Sequence, residues 1–516
     1  MSGKQKFRVT PLAAAVSSAL LIGATDTALA QDDALEEIVV TGIRGSLRNS
    51  MTIKRDTSGI VDAISSEDIG KFPDTNLAES LQRITGISIE RRDGEGAQVT
   101  ARGFGPQYNM VTLNGRQIPG ADGFSNGDSV TGGTGAGTRA FNFAQLSSDA
   151  IAGLTVYKTG RASVPSGGIG ATIDIITARP LDQGGTVLSV GAKAVADESQ
   201  VFGSDVTPEM SGIFSYANDA GTFGVGLNAS YQERDGGSVQ ATENAWNIQS
   251  WTGTEAALRS DAIVQNAPEI GQLYAMPNDL RYAFSEFHRE RTNGQAVFQF
   301  APSDAWTITA DYTFGINEIT ENRGEQTTWL QRSNSFTHLT FDTDEAVATP
   351  VYLRDVVGGG KDFGFEQQRN AQKYEFGSVG LNVQWDVNDR LGFTLDAHNS
   401  TSESNPNDSL TGASAVFFSL AGTKCFMGDC PGAWTQEFFF NEGMPISTRT
   451  YYPTTQDAVD GTNGVVNPDF PENELSSQIA RTWYTLQDTE ATGIDLDGDL
   501  EFDDGRFRFG ISSSKV

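Results

Sequence analysis

The sequence predicts a small α+β unit followed by a transmembrane antiparallel β-barrel. Three observations support this prediction. One short helical pattern lies among glycine-rich strands before about residue 180, long runs of alternating apolar and polar residues follow it, and tight turns alternate with long polar segments. Alternation with a period of two is what a strand requires, because successive side chains point to opposite faces.

Composition excludes several classes of protein. A chain of 516 residues exceeds one ordinary soluble domain, so two or more units are expected. With 36 basic and 66 acidic residues the net charge is −30, which repels phosphates and excludes a nucleic-acid partner. The three histidines lie far apart and outside any H-E-x-x-H motif. We therefore predict no catalytic residues, no metal site, no cofactor and no enzyme activity.

The amino terminus has the pattern of a cleaved signal peptide over residues 1–30. Lys4, Lys6 and Arg8 precede an apolar stretch at 11–24, and an A-x-A cleavage site ends at Ala30. The apolar stretch is shorter than the ~20 residues of a spanning helix, so we expect cleavage near Gln31.

Export to an oxidising compartment also favours a disulfide between the only two cysteines of the chain. These residues, Cys425 and Cys430, are closely spaced and would close a small loop.

Residues 31–50 are predicted to be a linker that carries one short extended run. This run suits the addition of a strand to the exposed sheet edge of another protein. An ordinary first strand of a domain is the alternative. The run consists of Glu37, Ile38, Val39, Val40 and Thr41.

The α+β unit is predicted from one helix and five strands. Asn76 can cap a helix over 76–85 together with Glu79, and Gly86 can supply its left-handed end. Asn114 and Gly115 indicate a tight turn. The strands are predicted at 86–90, 98–103, 110–114, 154–158 and 172–177.

The connections after residue 185 favour a barrel over a soluble sandwich. Tight turns are expected at 218–221, 302–304, 388–389 and 503–505, and long polar segments at 233–287, 317–373 and 402–492. Outer-membrane barrels combine short turns at one end with long loops at the other, whereas most connections in soluble domains are short. We expect apolar faces toward lipid and polar faces toward the lumen.

The last predicted hairpin has the clearest sorting of side chains. Leu496 and Phe507 belong to an apolar face, whereas Asp499, Arg506 and Arg508 belong to the other face. An arginine directed at lipid near the middle of the bilayer would cost about 2–4 kcal/mol. This sorting therefore predicts a lumen on the charged side.

Several segments together resemble the TonB-dependent outer-membrane receptors. The run at 37–41 is similar to their Ton box, and the other segments are similar to their plug domain. Those segments are 71–74, 76–81, 84–87, 102–104, 111–116, 156–158 and 167–175.

The resemblance implies a plug at 51–180 inside a 22-stranded barrel that begins near residue 185. Only about nine strands are counted over 185–516, so we expect an incomplete barrel, from the amino-terminal portion of a longer receptor. The implied partners are TonB with ExbB/ExbD, outer-membrane lipid and lipopolysaccharide, a small-molecule or oligosaccharide ligand, and a surface lipoprotein. The implied location is the outer membrane of a Gram-negative bacterium.

The sequence of residues 71–116 resembles a branch of this family that is associated with oligosaccharide uptake. Aromatic side chains near amides and carboxylates suit sugar rings, which have an apolar face and a fringe of hydroxyls. The alternative is that these rings only pack the loops together. The predicted ligand contacts are Gln107, Tyr108, Asp122, Trp246, Trp251, Trp329 and Trp434.

Other functions stay open at this point. The same family also imports siderophores, haem and cobalamin. A passive surface-binding barrel or adhesin would need no Ton box, and a secreted glycan-processing enzyme would need a carboxylate pair that the sequence does not nominate.

Overall fold

The computed structural model describes most of the chain beyond residue 50. It covers residues 50–55, 57, 59–65, 76–92, 94–122, 139–148, 151–200, 203–243, 246–255, 258–330, 335–357, 365–419, 433–440, 443, 445, 447–466 and 479–516. The signal peptide, the run at 37–41, the segment at 71–74 and the disulfide between Cys425 and Cys430 lie outside these residues and stay predictions.

The first unit is an α+β domain, as predicted. Five of its strands form one sheet in the order β1-β6-β7-β4-β5, and β2 pairs with β3 as a separate hairpin. Its elements are β1 (Val61–Ser65), α1 (Leu77–Leu81), β2 (Ile87–Arg92), β3 (Glu95–Ala101), β4 (Met110–Leu113), β5 (Arg116–Gln117), β6 (Ile151–Tyr157) and β7 (Thr172–Thr177).

Helix α1 is shorter than predicted, and its cap is simpler. The Asn76 side chain accepts hydrogen bonds from the Ala78 and Glu79 amides, as expected of an N-cap. Glu79 does not complete a capping box, because its carboxylate binds the Gly96 amide and Arg91 instead. The chain after Leu81 continues in tighter turns and reaches Gly86 with a φ of +77°, the predicted left-handed end.

The core of this domain lies between α1 and the two sheets. The turn at Asn114 and Gly115 has positive φ at both residues, which is the geometry of a tight hairpin between β4 and β5. This turn carries Arg116 out toward the second unit. Fully buried core side chains include Leu77, Leu81, Leu113, Phe143, Leu154, Ile173 and Ile175.

The second unit is a wall of nine long antiparallel strands that contacts the first domain. The short helix α2 (Pro180–Gln183) connects the two units. Strands β8 and β26 are the edges of the wall, so the described strands do not close a barrel. The nine strands are β8 (Thr186–Ala196), β9 (Val206–Ala217), β10 (Phe223–Thr242), β14 (Asp279–Ser303), β15 (Trp306–Trp329), β18 (Phe365–Asn388), β19 (Leu391–Pro406), β25 (Gln487–Phe502) and β26 (Gly505–Lys515).

The strand pairing confirms the four predicted turns and the sorting of side chains. Short turns join β9 to β10, β14 to β15, β18 to β19 and β25 to β26. In the last hairpin, Arg506 and Arg508 form ion pairs with Asp499, whereas Leu496 and Phe507 are exposed on the opposite face. The apolar side chains of the wall therefore face away from the first domain.

The long polar segments are not simply loops, and here the sequence prediction was wrong. Strands β10, β14, β15, β18 and β19 extend well into them. The physical reason is that the backbone ladder continues where both faces of a strand become polar, so the two-residue apolar pattern ends before the strand does.

The remaining parts of these segments contain short strands and one helix. They are β11 (Trp246–Ser250), β12 (Leu258–Gln265), β13 (Leu273–Pro277), β16 (Phe336–Asp342), β17 (Val347–Val357), β20 (Ala415–Ser419), β21 (Ala433–Phe439), β22 (Thr448–Tyr452), α3 (Thr455–Asp460), β23 (Val465–Val466) and β24 (Ile479–Trp483).

Eight of these strands form a separate sheet, which we call the loop domain. It consists of β11, β12, β13, β16, β17, β21, β22 and β23. Its own apolar core includes Trp251, Tyr274, Phe336, Phe341 and Phe438. Among the described residues, no helix is both long enough and apolar enough to cross a membrane.

Candidate binding cavity

A cavity of about 610 Å³ lies between the first domain and the inner face of the wall. The turn between β2 and β3 forms its floor together with Asn142 and Ala144, and β10, β14, β15 and β18 form its sides. Its volume falls in the range of small-molecule sites. Apart from Ile319 and Tyr374, its larger lining side chains are polar or charged.

Strand register explains why charged side chains reach this cavity. Arg281 and Arg289 of β14 line the cavity. They are an even number of residues apart from each other and from Arg291, so all three side chains share the inner face. The same rule places Asn317 and Arg323 of β15 on that face. The lining therefore comes from the inner faces of those strand segments that extend beyond the stretches with alternating apolar residues.

Glu95 connects the floor of the cavity to its side. One carboxylate oxygen, Oε1, lies 2.6 Å from Arg289 Nη1 and 2.9 Å from Arg291 Nη1. Arg291 also donates to Gln232 and to the backbone oxygen of Ala144. All of these side chains are buried, so the contact joins the first domain to β14 in a region shielded from water.

A second charged group lies behind the floor. Arg92 Nη1 is 2.7 Å from Asp122 Oδ2, and Gln98 donates to the same oxygen at 2.6 Å. Burial alone would lower the pKa of Arg92, but the Asp122 and Glu90 carboxylates outweigh burial and raise that pKa. Arg92 therefore stays charged and holds the β2–β3 turn in place.

Each of the five arginines that line the cavity has a carboxylate partner. Arg281 pairs with Asp279 and Arg323 pairs with Glu325, both at 2.8 Å. Since the other three arginines are also paired, the cavity does not present a cluster of unmatched positive charges. The remaining pairs are Arg91 with Glu79, Arg92 with Asp122, and Arg289 with Glu95.

A separate group of charges joins the two units away from the cavity. Arg116, carried by the β4–β5 hairpin, binds Asp311 of β15 through Nη1 and Asp396 of β19 through Nε, each at 2.7 Å. A Cβ atom at Gly380 would overlap the Arg116 guanidinium. Glycine at this position of β18 is what allows the arginine to lie against the wall.

None of the three predicted ligand contacts in the first domain lines the cavity. Gln107 and Tyr108 are exposed in a short 3-10 turn, and neither lines the cavity. Asp122 is fully buried and bound to Arg92 and Gln98, so it supports the floor rather than facing a solute.

The predicted tryptophan contacts are not brought together either. Trp251 is buried in the loop domain, where its ring meets Tyr274 edge-on at 5.3 Å, and Trp434 is buried beside Tyr451. Trp246 is exposed and donates to Glu243, a residue that does line the cavity. The side chain of Trp329 lies outside the described part. For Trp251 and Trp434, packing is the role that the structure supports.

Sequence reasoning missed the residues that line the cavity. Glu95, Arg289, Asn317 and Gln372 belong to strand segments, and three of them fall in or beside stretches that were predicted to be loops. A usable pattern was present, because arginines recur in even steps from 281 to 291. Such a repeat of charge indicates one face of a strand even where no apolar face accompanies it.

The outer face of the wall carries an unforeseen group of ionisable side chains. Glu233, Asp235 and His288 place one ligand atom each within 4.8 Å of one another, a spacing that would suit a metal ion. Asp235 and His288 are cross-strand partners, and Asp235 Oδ1 lies 2.7 Å from His288 Nδ1. This group is on the opposite face of the sheet from the cavity.

Comparison with known protein families identifies the first domain. Residues 53–172 match the family described as TonB-dependent Receptor Plug Domain. This part of the chain is therefore a plug domain of that family, and the antiparallel wall beside it has the arrangement of an open barrel. A comparison with curated protein sequences gives no match.

Several solved structures align with most of this chain, at low sequence identity and low TM-score. The siderophore receptor PirA from Acinetobacter baumannii is 11% identical with a TM-score of 0.29, over 90% of this chain and 81% of that one. The ferric enterobactin receptor PfeA from Pseudomonas aeruginosa is 11% identical with a TM-score of 0.35, over 90% and 58%. The outer membrane transporter YddB from Escherichia coli is 9% identical with a TM-score of 0.34, over 88% and 56%. The chain thus spans little more than half the length of the last two.

Proposed function

We propose that this chain, whose residues 53–172 form a TonB-dependent receptor plug domain, belongs to a receptor that imports a scarce solute across the outer membrane. The solute binds in the cavity between the plug and the wall, and an energised TonB complex displaces the plug. The proposed cargo is an oligosaccharide. No bond in the cargo is broken, so the protein is a transporter rather than an enzyme.

The charge balance of the cavity is the observation that carries the choice of cargo. Every arginine that lines it is already matched by a carboxylate, and the other polar lining groups are mainly amides and hydroxyls. A neutral solute rich in hydroxyls can bind to such a surface without breaking an ion pair. A highly charged anion would have to compete with the carboxylates of the protein for the same guanidinium groups.

Transport requires that the plug be held firmly at rest but released under force. Within the described residues, the ties between plug and wall include the buried ion pairs of Glu95 and Arg116. They also include hydrogen bonds that Asn293 and Gln487 of the wall make with the plug backbone. The run at 37–41 would pair with a sheet edge of TonB, and force applied through it would act on these ties. Elements that must move are expected to have low local stability.

A substitution in the run at 37–41 tests this proposal. Val39→Pro removes a backbone donor that strand pairing needs, so uptake of the cargo by cells should fall to background. Binding of the cargo to the same cells at the surface should not change. Val39→Ala, which keeps the backbone donor, is the matched control and should retain most uptake. Equal uptake by both variants would favour a passive barrel.

A siderophore receptor is the second candidate, and the five arginines at the cavity favour it. Arginine binds carboxylates and catecholates through parallel hydrogen bonds, and ligand binding could rearrange the existing pairs. Titration of the purified protein with ferric enterobactin and with neutral tetrasaccharides would separate the two. Binding of the iron chelate alone would select this candidate.

A further inference from the structure

The register of two strands brings the ionisable side chains on the outer face of the wall together. Asp235 of β10 is directly opposite His288 of β14. Two residues away on the same face, Glu233 is directly opposite Glu290. Cross-strand partners have Cβ atoms about 4.5–5.5 Å apart, so three carboxylates and one imidazole share a small area. Sequence spacing alone hides this group, because Asp235 and His288 are 53 residues apart.

Within the described residues, no arginine or lysine forms an ion pair with these carboxylates. Arg234 and Arg289 are neighbours of the group in sequence, but they belong to the other face of the sheet, where each has its own carboxylate partner. Like charges directly opposite each other on paired strands are destabilising, so Glu233 and Glu290 repel each other. A bound cation would remove this repulsion.

The carboxylate of Asp235 is held in position by the loop between β8 and β9. Its Oδ2 accepts a hydrogen bond from the Ser204 amide at 2.8 Å, whereas its Oδ1 lies 2.7 Å from His288 Nδ1. Gly203 has a φ of +107°, and a Cβ atom at this position would overlap the Asp235 carboxylate. Asp235 is only 7% exposed, so its orientation is fixed by the protein itself.

We propose that Glu233, Asp235 and His288 bind one Zn²⁺ ion, an assignment that does not depend on the transport function. One ligand atom of each residue lies within 4.8 Å of the other two. Zinc takes imidazole nitrogen and carboxylate oxygen at about 2.0–2.2 Å, so two ligands of a tetrahedral ion are about 3.3 Å apart. Small side-chain movements reach this geometry. The mixed nitrogen and oxygen set favours zinc over Ca²⁺ and Mg²⁺, which take oxygen ligands.

Glu290 supplies the outer contact that a metal-binding histidine needs. With His288 Nδ1 on the ion, the other ring nitrogen, Nε2, carries a proton and lies 3.5 Å from Glu290 Oε1. A ligand histidine commonly donates this N–H to a carboxylate, which fixes the orientation of the ring. Glu290 is half-exposed and can close the remaining distance, so it is a positioning residue. The ion links β10 to β14, two of the strands that form the sides of the cavity.

Calorimetric titration of the full chain in detergent with ZnCl₂ tests the assignment. Every variant carries serine at Cys425 and Cys430, so that thiols cannot bind the metal, and no histidine tag. The parent protein should bind one Zn²⁺ per chain and melt at a higher temperature with zinc than without it. His288→Gln and Asp235→Asn should abolish this binding. His338→Gln, which removes an imidazole from the loop domain, is the matched control and should retain it.

Two further variants separate loss of the metal from loss of the fold. Glu233→Gln removes a ligand together with the repulsion of Glu290, so zinc should bind at least tenfold more weakly while the melting temperature of the metal-free protein does not fall. Glu290→Gln keeps all three ligands and should weaken zinc binding about 10–100-fold with an unchanged ratio of one ion per chain.

Three results would overturn the assignment. The first is a parent protein that does not bind zinc. The second is zinc binding by His288→Gln as tight as that of the parent, or displacement of zinc by an equal concentration of CaCl₂, since a group of surface carboxylates would then account for the binding. The third is loss of binding in His338→Gln, which would place the ion elsewhere.

Discussion

Removal of the Arg116 side chain should strongly weaken the attachment of the plug to the wall. Arg116 is only 2% exposed and is bound to both Asp311 and Asp396. Arg116→Ala leaves two carboxylates facing each other without a cation, and breaking a buried pair in this way costs about 3–5 kcal/mol. At about 1.4 kcal/mol per factor of ten, the equilibrium for opening the β4–β5 hairpin should rise by roughly two to four orders of magnitude.

Hydrogen exchange of the full chain in lipid nanodiscs measures this change directly. Protection of amides in residues 110–117 should fall by that factor in Arg116→Ala, because exchange follows local opening. Arg91→Ala is the matched control. Arg91 is also a plug arginine paired with a carboxylate, but it is 51% exposed, so its loss should cost at most about 1 kcal/mol. Equal protection in the two variants would refute the argument that burial makes the Arg116 group strong.

Three other predictions concern the plug and the loop domain. Gly380→Ala should displace the Arg116 guanidinium and reproduce much of the exchange increase, and unchanged exchange would contradict the close approach at this glycine. Burial raises the pKa of Asp174 to about 6, with partial opposition from the Thr112 hydroxyl and the Gly115 amide. The folded pKa thus exceeds the ordinary value of 3.8, so this group favours the folded plug at low pH and loses that effect as the pH rises through 6. Protection in β7, corrected for intrinsic exchange, should be about tenfold higher at pH 5 than at pH 7.5, and Asp174→Asn should abolish the difference. Trp251→Ala should destabilise the loop domain by about 3–5 kcal/mol, seen as faster proteolysis within residues 246–357, while cleavage within the plug stays unchanged.

Much of the fold could be predicted because local chemistry and tertiary structure agree in the plug and in the parts of the wall near its four short turns. Asn76 caps its helix, Asn114 and Gly115 form the turn, and the apolar residues repeat every second position where the strands face away from the plug. These features depend on near neighbours in the chain. A single sequence is sufficient to identify them.

The cavity could not be predicted, because its residues come from elements far apart in sequence. Glu95 and Arg289 are nearly two hundred residues apart, and their contact depends on how the plug sits against the wall. The polar strand segments that carry Asn317 and Gln372 have no apolar face to reveal them. Aromatic residues such as Trp251 were expected at the ligand because aromatic side chains suit both sugar binding and packing, and only the structure shows that this ring belongs to a core.

The accessibility of spin labels on the wall tests the central claim most directly. Leu381 and Leu395 face away from the plug and are exposed, whereas Asn382 faces it and is buried. With Cys425 and Cys430 replaced by serine, a single label at Leu381 or Leu395 in lipid nanodiscs should collide with dissolved oxygen and be shielded from an aqueous nickel chelate. A label at Asn382 should be less accessible to oxygen. Ready access of the nickel chelate to the labels at Leu381 and Leu395 would contradict a lipid-facing wall around a seated plug.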